Sequence, residues 1–300
     1  MQGMKRLMLS AVFAALATGL AATPAMAEDW NDPQEPFAVF GDTWYVGTRG
    51  LSAVLITSPQ GHILIDGGSP ESAPMIARHI RQLGFKLEDI KFILNSHDHF
   101  DHAGGISELQ KLSGAVVLAS VQGEKVLRSG QPSKGDPQYG DLLSMKPVAN
   151  TRAVADGEVV KLGPLAVTAR YTPGHTQGGV SWTWRSTENG KGAAMVYADS
   201  LNAFAAKPFR YSDSKSYPTA LADIKKSIAT VAALDCDILV SAHPGASDLF
   251  ERQAKQAKLG NAAFIDRQAC RDYAQAGTER LKKTLAAEAG GTLGGLSGTP

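Results

Sequence analysis

The chain has 300 residues, 43% of them hydrophobic, with 30 Lys and Arg against 29 Asp and Glu. That is material for one large domain or two small ones. So balanced a charge excludes the basic footprint of a nucleic-acid binder and the acidic tail of a solvating segment.

Lys5 and Arg6 precede the apolar run LMLSAVFAALATGLAA, which ends near the small-residue site Ala25-Met26-Ala27. The pattern predicts a secretory signal peptide over residues 1–27, and the run is short for a membrane span. An exported chain meets an oxidising compartment. Its two cysteines, Cys236 and Cys270, are therefore read as a disulfide, with two buried thiols as the alternative.

Residues 28–36, rich in Pro and Asp, read as a loose leader. FAVFGDTWYVGT predicts a hairpin about Gly41-Asp42, and SAVLITSPQGHILIDGG predicts two more strands about a Pro-Gln-Gly turn. Met75, Ile76, Ile80 and Leu83 fall at helical spacing. IKFILNS is a buried type of strand that runs directly into NSHDHFDHAGG, residues 95–105. Helical spacing resumes over Ile106–Leu112, and AVVLAS is a further strand. Residues 129–150 lack periodicity and predict a long surface loop of functional use.

In the second half, VVKLG, LAVTARY, GVSWTWRS and AAMVYADS predict strands. A helix is expected from about Pro218 to Leu234, then the strand DILVSAH, then helices from about Asp248 and Asp266. Early hairpins followed by strand–helix alternation place sheets in the middle and helices outside. The expected organisation is one domain over residues 28–288 and a Gly-rich, disordered tail over 289–300.

Three of the seven histidines, His97, His99 and His102, crowd into the 95–105 stretch with Asp98 and Asp101. His175 in TPGHT and His243 in SAHPG both follow predicted strands, where a scaffold presents ligands. In an extended segment His97 and His99 point the same way, while Asp101 and His102, at the turn into a helix, aim elsewhere. One segment can thus supply two sites a few ångströms apart, and histidines with one carboxylate suit zinc. His62 and His79 are read as surface or packing residues.

His97-x-His99-x-Asp101-His102 resembles the signature of the metallo-β-lactamase superfamily, and His175 and His243 follow in that family's order. The resemblance covers about residues 37–285. It implies an α/β fold, the αβ/βα sandwich of two central mixed β-sheets with helices on the outer faces. Within the family the chain is similar to subclass B3 enzymes. That likeness implies one zinc on His97, His99 and His175, and a second on Asp101, His102 and His243. It implies Ser200 and Asn202 as contacts of the substrate carboxylate, although the second of these positions is often Ser in the subclass. It also implies a Cys236–Cys270 bridge. The implied activity is hydrolysis of the β-lactam amide in penicillins, cephalosporins and carbapenems by a zinc-bound hydroxide, without an acyl-enzyme and with Asp101 as catalytic partner. Antibiotic resistance in the periplasm, a monomeric state and no nucleic-acid or membrane partner after cleavage follow from it. The competing expectation is a lactonase or glyoxalase-type thioesterase, in which Asp199 bridges both metals. A zinc-storage protein is a third expectation, but it would close its coordination, and six ligands for two ions leave open positions.

Overall fold

The computed structural model describes residues 30–290. The expected signal peptide and nearly all of the Gly-rich tail lie outside them. The first sheet is built from β1 (Phe37–Phe40), β2 (Thr43–Tyr45), β3 (Val54–Ile56), β4 (His62–Ile65), β5 (Ile90–Leu94), β6 (Val116–Ser120) and β7 (Thr151–Val154). They lie side by side in chain order, antiparallel from β1 to β4 and parallel from β4 to β7. The second sheet is built from β8 (Val159–Leu162), β9 (Leu165–Tyr171), β10 (Val180–Glu188), β11 (Lys191–Ala198) and β12 (Ile238–Ser241). Here the first four strands are antiparallel, and β12 joins the far side of β11 in parallel.

Side-chain alternation along the strands decides what packs where. Val54, Ile56, Ile63 and Ile65 point between the sheets, where they meet Val167, Trp182 and Tyr197. Leu55 and Leu64, one residue out of step, face the opposite way. Their partners are Ile76, Ala77 and Ile80 of α1 (Ala73–Gln82). Each such buried aliphatic side chain contributes about 1.5–3 kcal/mol of transfer free energy. Two short stretches continue that layer, α2 (Phe100–Ala103) and α3 (Ile106–Ser113), followed by α4 (Val121–Ser129). On the other face, α5 (Ala220–Ala232) precedes β12, and the small helices α6 (Leu249–Gln253) and α7 (Gln256–Leu259) lead to α8 (Ala269–Ala289). Ile224, Val231, Tyr273 and Leu281 cover Val196, Ala198 and Leu239 of the second sheet. The result is helices, sheet, sheet, helices, as the family resemblance implied.

Cys236, just before β12, is bonded to Cys270 in the first turn of α8. The bridge clamps the last helix to the edge of the second sheet.

Three local readings are corrected and one, that of His62 and His79, is narrowed. Trp30 is not part of a loose leader: its ring packs 5.4 Å from that of His243 and 6.4 Å from that of Phe100, and its carbonyl accepts from Thr48 Oγ1 at 2.6 Å. Asp101 and His102 sit within the one-turn α2 rather than ahead of a helix. His62 and His79 are both buried, His79 bonding the Val46 carbonyl at 2.9 Å, so theirs is the packing role rather than the surface one. Finally, α4 and β7 carry too little periodicity to have been expected. Between them, residues 130–150 form the irregular loop that the composition predicted.

Candidate metal centre

The two sheets are tied together at one end. Val180 N donates to Ser96 O at 2.7 Å, and Trp182 Nε1 donates to Asn95 O at 3.1 Å. The residue pair 95–96 is the start of the histidine stretch, so the C-terminal end of β5 is fixed from both sheets. Asp66, at the end of β4, completes the anchor. Its buried carboxylate accepts from Ser96 N at 2.7 Å, Ser96 Oγ at 2.6 Å, Tyr197 OH at 2.8 Å and Asn95 Nδ2 at 3.2 Å. Burial pushes the Asp66 carboxyl up, against the opposing pull of His102, Ser96 and Tyr197.

His97 follows this anchor, His99 is extended as it leads into α2, and the chain delivers His102 to the same place one turn later. His175 arrives from the loop after β9, where Gly174 has φ +133° and no room for a side chain: a Cβ there would lie 2.6 Å from Ile224. His243 arrives two residues beyond β12. All six family-implied ligands therefore come from strand ends or from the turn that follows one.

They converge in two overlapping groups. Donor atoms of His97, His99 and His175 lie within 4.8 Å of one another, as do donor atoms of His97, Asp101 and His102. His243 joins the second group: Asp101 Oδ2, His102 Nε2 and His243 Nε2 stand 3.0, 3.1 and 3.4 Å apart in pairs. The ring centroids of His97, His99 and His175 are 4.9 Å apart in every pair.

The outer partners of these rings fix which nitrogen faces inward. His99 Nε2–H donates to Asp136 at 3.1 Å, which leaves its Nδ1 bare. His175 Nδ1–H donates to Asn202 O at 2.8 Å, and His243 Nδ1–H to Gly50 O at 3.1 Å, which leaves both Nε2 atoms bare. His97 turns Nδ1 towards Asp199 Oδ1 at 2.8 Å, while its Nε2 is buried and makes no hydrogen bond among the described residues. The bare nitrogens of His97, His99, His175 and His243 and a carboxylate oxygen of Asp101 thus crowd into one buried space. In a folded protein such a cluster is costly unless a cation sits in it. The donor set, five imidazoles and one carboxylate, fits zinc, and four of the rings, His97, His99, His175 and His243, are steered from behind in the way metal-binding histidines are.

The electrostatics agree. Burial and the neighbouring His102, His175 and His99 hold His97 far below the usual imidazole range. Burial and His99 push His175 down to about 3. His243 is likewise lowered by burial. Burial works to raise the Asp101 carboxyl, but His102 and His243 outweigh it and hold it well below the usual carboxylate range. His97, His175 and His243 are thus set as neutral imidazoles and Asp101 as an ionised carboxylate, the protonation states a metal requires, while at His99 burial lowers the ring but Asp136 outweighs it and raises it.

Ser200 and Asn202 follow β11 and line a small cavity beside His175 and His243. Sequence reasoning missed Asp66 and Asp136. The first closes LIDGG at a strand end, and the second lies in the loop already suspected of function. The chain's Ser-x-x-Lys stretch, Ser212 to Lys215, lies on a loop where both those residues are exposed and neither lines that cavity.

A family model of the metallo-beta-lactamase superfamily matches residues 46–188. Among solved structures, MEM-A1, a subclass B3 metallo-beta-lactamase isolated from a soil metagenome library, is 85% identical, over 87% of this chain and 99% of that one, with a TM-score of 0.87. SMB-1 bound to 2-mercaptoethanesulfonate is 52% identical over 87% and 99% of the two chains, with a TM-score of 0.84. MIM-1 from Novosphingobium pentaromativorans is 44% identical over 87% and 93%, with a TM-score of 0.81. A curated hydroxyacylglutathione hydrolase of Rhodopseudomonas palustris (strain BisB5) is 31% identical over 147 residues, 49% of this chain and 46% of that protein. The chain spans about half the length of the curated relatives it matches. Motif, sandwich and near-complete overlap with solved B3 enzymes agree, and the chain belongs to the metallo-beta-lactamase superfamily, most like its subclass B3 members.

Proposed function

We propose that this cleft hydrolyses the amide bond of β-lactams, taking penicillins, cephalosporins and carbapenems, with two zinc ions as cofactors. The observation that carries the reading is the convergence of ligand atoms from five histidines and one aspartate in two overlapping groups. His97, His99 and His175 would hold one ion, and Asp101, His102 and His243 the other. Bound zinc lowers the pKa of water towards neutrality and withdraws charge from a carbonyl oxygen.

The protein's own residues supply position and proton handling. Asp136, the Asn202 carbonyl and the Gly50 carbonyl hold three rings in place, so the donor atoms need no rearrangement on loading. Asp101 stays ionised beside His102 and His243, and it can hold a proton on its way from the attacking water to the leaving nitrogen. The Ser200 hydroxyl and the Asn202 amide offer donors to the carboxylate that β-lactams carry near the scissile bond. No side chain has to form a covalent intermediate.

Hydrolysis of a thioester is the second reading, favoured by the curated hydroxyacylglutathione hydrolases. It needs Asp199 between the metals, and Asp199 instead lies against the outward nitrogen of His97. The identity with B3 structures over nearly their whole length favours the lactam. The rest of the reading is a monomer acting in the periplasm once residues 1–27 are removed, with residues 28–288 as one unit and antibiotic resistance as the outcome. The Cys236–Cys270 bond suits that compartment. Among the described residues no helix is long and apolar enough to cross a membrane.

The test is hydrolysis of a chromogenic cephalosporin by purified protein, with a glutathione thioester in parallel. Cephalosporin turnover that a chelator abolishes and zinc restores is expected. Turnover of the thioester alone would overturn the reading.

A further inference from the structure

One face of α8 runs alongside the segment that follows β11. Tyr273 OH donates to Asp199 O at 2.9 Å. At Gly277 a Cβ would stand 3.0 Å from Leu201 Cβ and 3.1 Å from Leu201 O, so the helix closes on Leu201 where it has no side chain. Thr284 Oγ1 donates to Ala203 O at 2.9 Å. Tyr273, Gly277 and Thr284 are spaced by four and seven residues, which keeps them on one stripe of the helix. Arg280 belongs to the same stripe, between Gly277 and Thr284, and is therefore delivered between Leu201 and Ala203, beside Asn202.

Its side chain lines the cavity that Ser200, Asn202, His175 and His243 also line. Its Nε is buried and makes no hydrogen bond among the described residues. Among the described residues no Asp or Glu lines the cavity. Beside the two ligand rings and Tyr273, its polar lining is a hydroxyl, a carboxamide and a guanidinium, all able to donate. A buried guanidinium nitrogen without an acceptor is costly in the free protein, and a carboxylate from outside would relieve it. The cavity measures about 50 Å³, which at about 10–15 Å³ per water-sized probe is room for one small functional group rather than a whole substrate.

We propose that Arg280 is a specificity-determining residue: its guanidinium, together with Ser200 and Asn202, receives the carboxylate of the substrate and selects β-lactams in which that carboxylate is free. The inference rests on the β-lactamase reading of the cleft. A planar fork fits a carboxylate with two parallel N–H donors, and an ammonium on a flexible stem does not. The disulfide to Cys270 and the two hydrogen bonds from Tyr273 and Thr284 fix the helix that carries it, so the group is pre-positioned.

The experiment compares benzylpenicillin with its methyl ester on the zinc-loaded full chain, for the wild type and for Arg280→Ala, Arg280→Gln and Arg280→Lys. Arg280→Gln keeps most of the stem, and so guards against loss of packing. Zinc content and thermal midpoint are measured for each variant. The expected result is a rise of about tenfold in KM for benzylpenicillin, equal to about 1.4 kcal/mol, with kcat changed little. The ratio of kcat/KM for acid over ester falls by the same factor, and Arg280→Lys recovers part of it. A ratio that stays at the wild-type value in folded, zinc-replete Ala and Gln variants would overturn the role of Arg280 while leaving the lactamase intact. A wild type that hydrolyses neither compound overturns the reading of the cleft, and the inference falls with it.

Discussion

Asp199 Oδ1 lies 2.8 Å from Nδ1 of His97, and the other nitrogen of that ring, Nε2, is buried and makes no hydrogen bond among the described residues. The carboxylate therefore sits behind a ligand and not among the ligands. In a bridging role it would have to reach both clusters, and the His97 imidazole stands between it and them. Supporting partners of this kind orient the ring and raise its basicity, and their loss costs roughly 10–100-fold in metal affinity. Asp199→Asn should weaken zinc binding by that factor, with activity returning in excess zinc. Competition titration against a chromophoric chelator checks it. A variant that stays inactive at saturating zinc and has lost both ions would restore Asp199 to the bridge.

The two donor groups meet at His97 and His102, whose ring centroids are 4.3 Å apart, and the proposed assignment gives each ion its own three ligands. Metal analysis after gentle purification should find close to two zincs per chain. His102→Ala removes one of the three atoms that meet at 3.0–3.4 Å and should empty the second site while the first stays loaded. A wild-type protein that is fully active with one zinc contradicts the paired arrangement.

The Cys236–Cys270 bond closes a loop of 34 residues. By the loop-entropy argument its removal costs at most roughly 3–4 kcal/mol. Cys236→Ser with Cys270→Ser should lower the thermal midpoint by roughly 6–16 °C, given 2–4 °C per kcal/mol at this size. The loss should also loosen α8, and with it the Asp199–Ala203 segment. Intact mass under denaturing, non-reducing conditions decides whether the bond forms, and two alkylatable thiols in exported protein would count against it.

The ligands were legible in the sequence because metal chemistry restricts residue type more tightly than packing does. Few segments other than a metal site would place His97, His99, Asp101 and His102 within six positions. The sandwich was legible where strands alternate, as in β9 and β10. It was not legible at β7, an edge strand whose single fully buried side chain is Val154. Nor was it at α4, which starts directly from β6 at Ser120 and carries Gly123 in its first turn. The supporting acids were harder still. Asp136 is 37 residues from His99, and Asp66 is 30 from Ser96, so only the folded chain brings them together. Arg280 gave no signal at all, since an arginine on an amphipathic helix is ordinarily a solvated residue, and its place over Asn202 depends on where Gly277 lets the helix approach.

Ser200 and Asn202 distinguish a lactam cleft from a lactone cleft that uses the same metals. Lactams carry a carboxylate near the scissile bond and simple acyl lactones do not, so the discriminating groups must be donors on the wall rather than ligands. Ser200 and Asn202 are on the cavity wall, and the Asn202 backbone carbonyl is committed to His175 at 2.8 Å. Replacing both side chains with Ala therefore leaves the support of His175 in place and should leave zinc content unaltered. One hydrogen bond to a charged group is worth roughly 1.5–3 kcal/mol, so the pair accounts for more than a tenfold loss in kcat/KM. The carboxylate is bound alike in the ground and transition states, which places the loss in KM and spares kcat. Kinetics of Ser200→Ala with Asn202→Ala on one cephalosporin and one acyl lactone make the test. Cephalosporin KM should rise more than tenfold and any lactone turnover should stay where it was. An unchanged cephalosporin KM, in protein with its full zinc content, would remove both side chains from substrate recognition and leave Arg280 as the donor to examine.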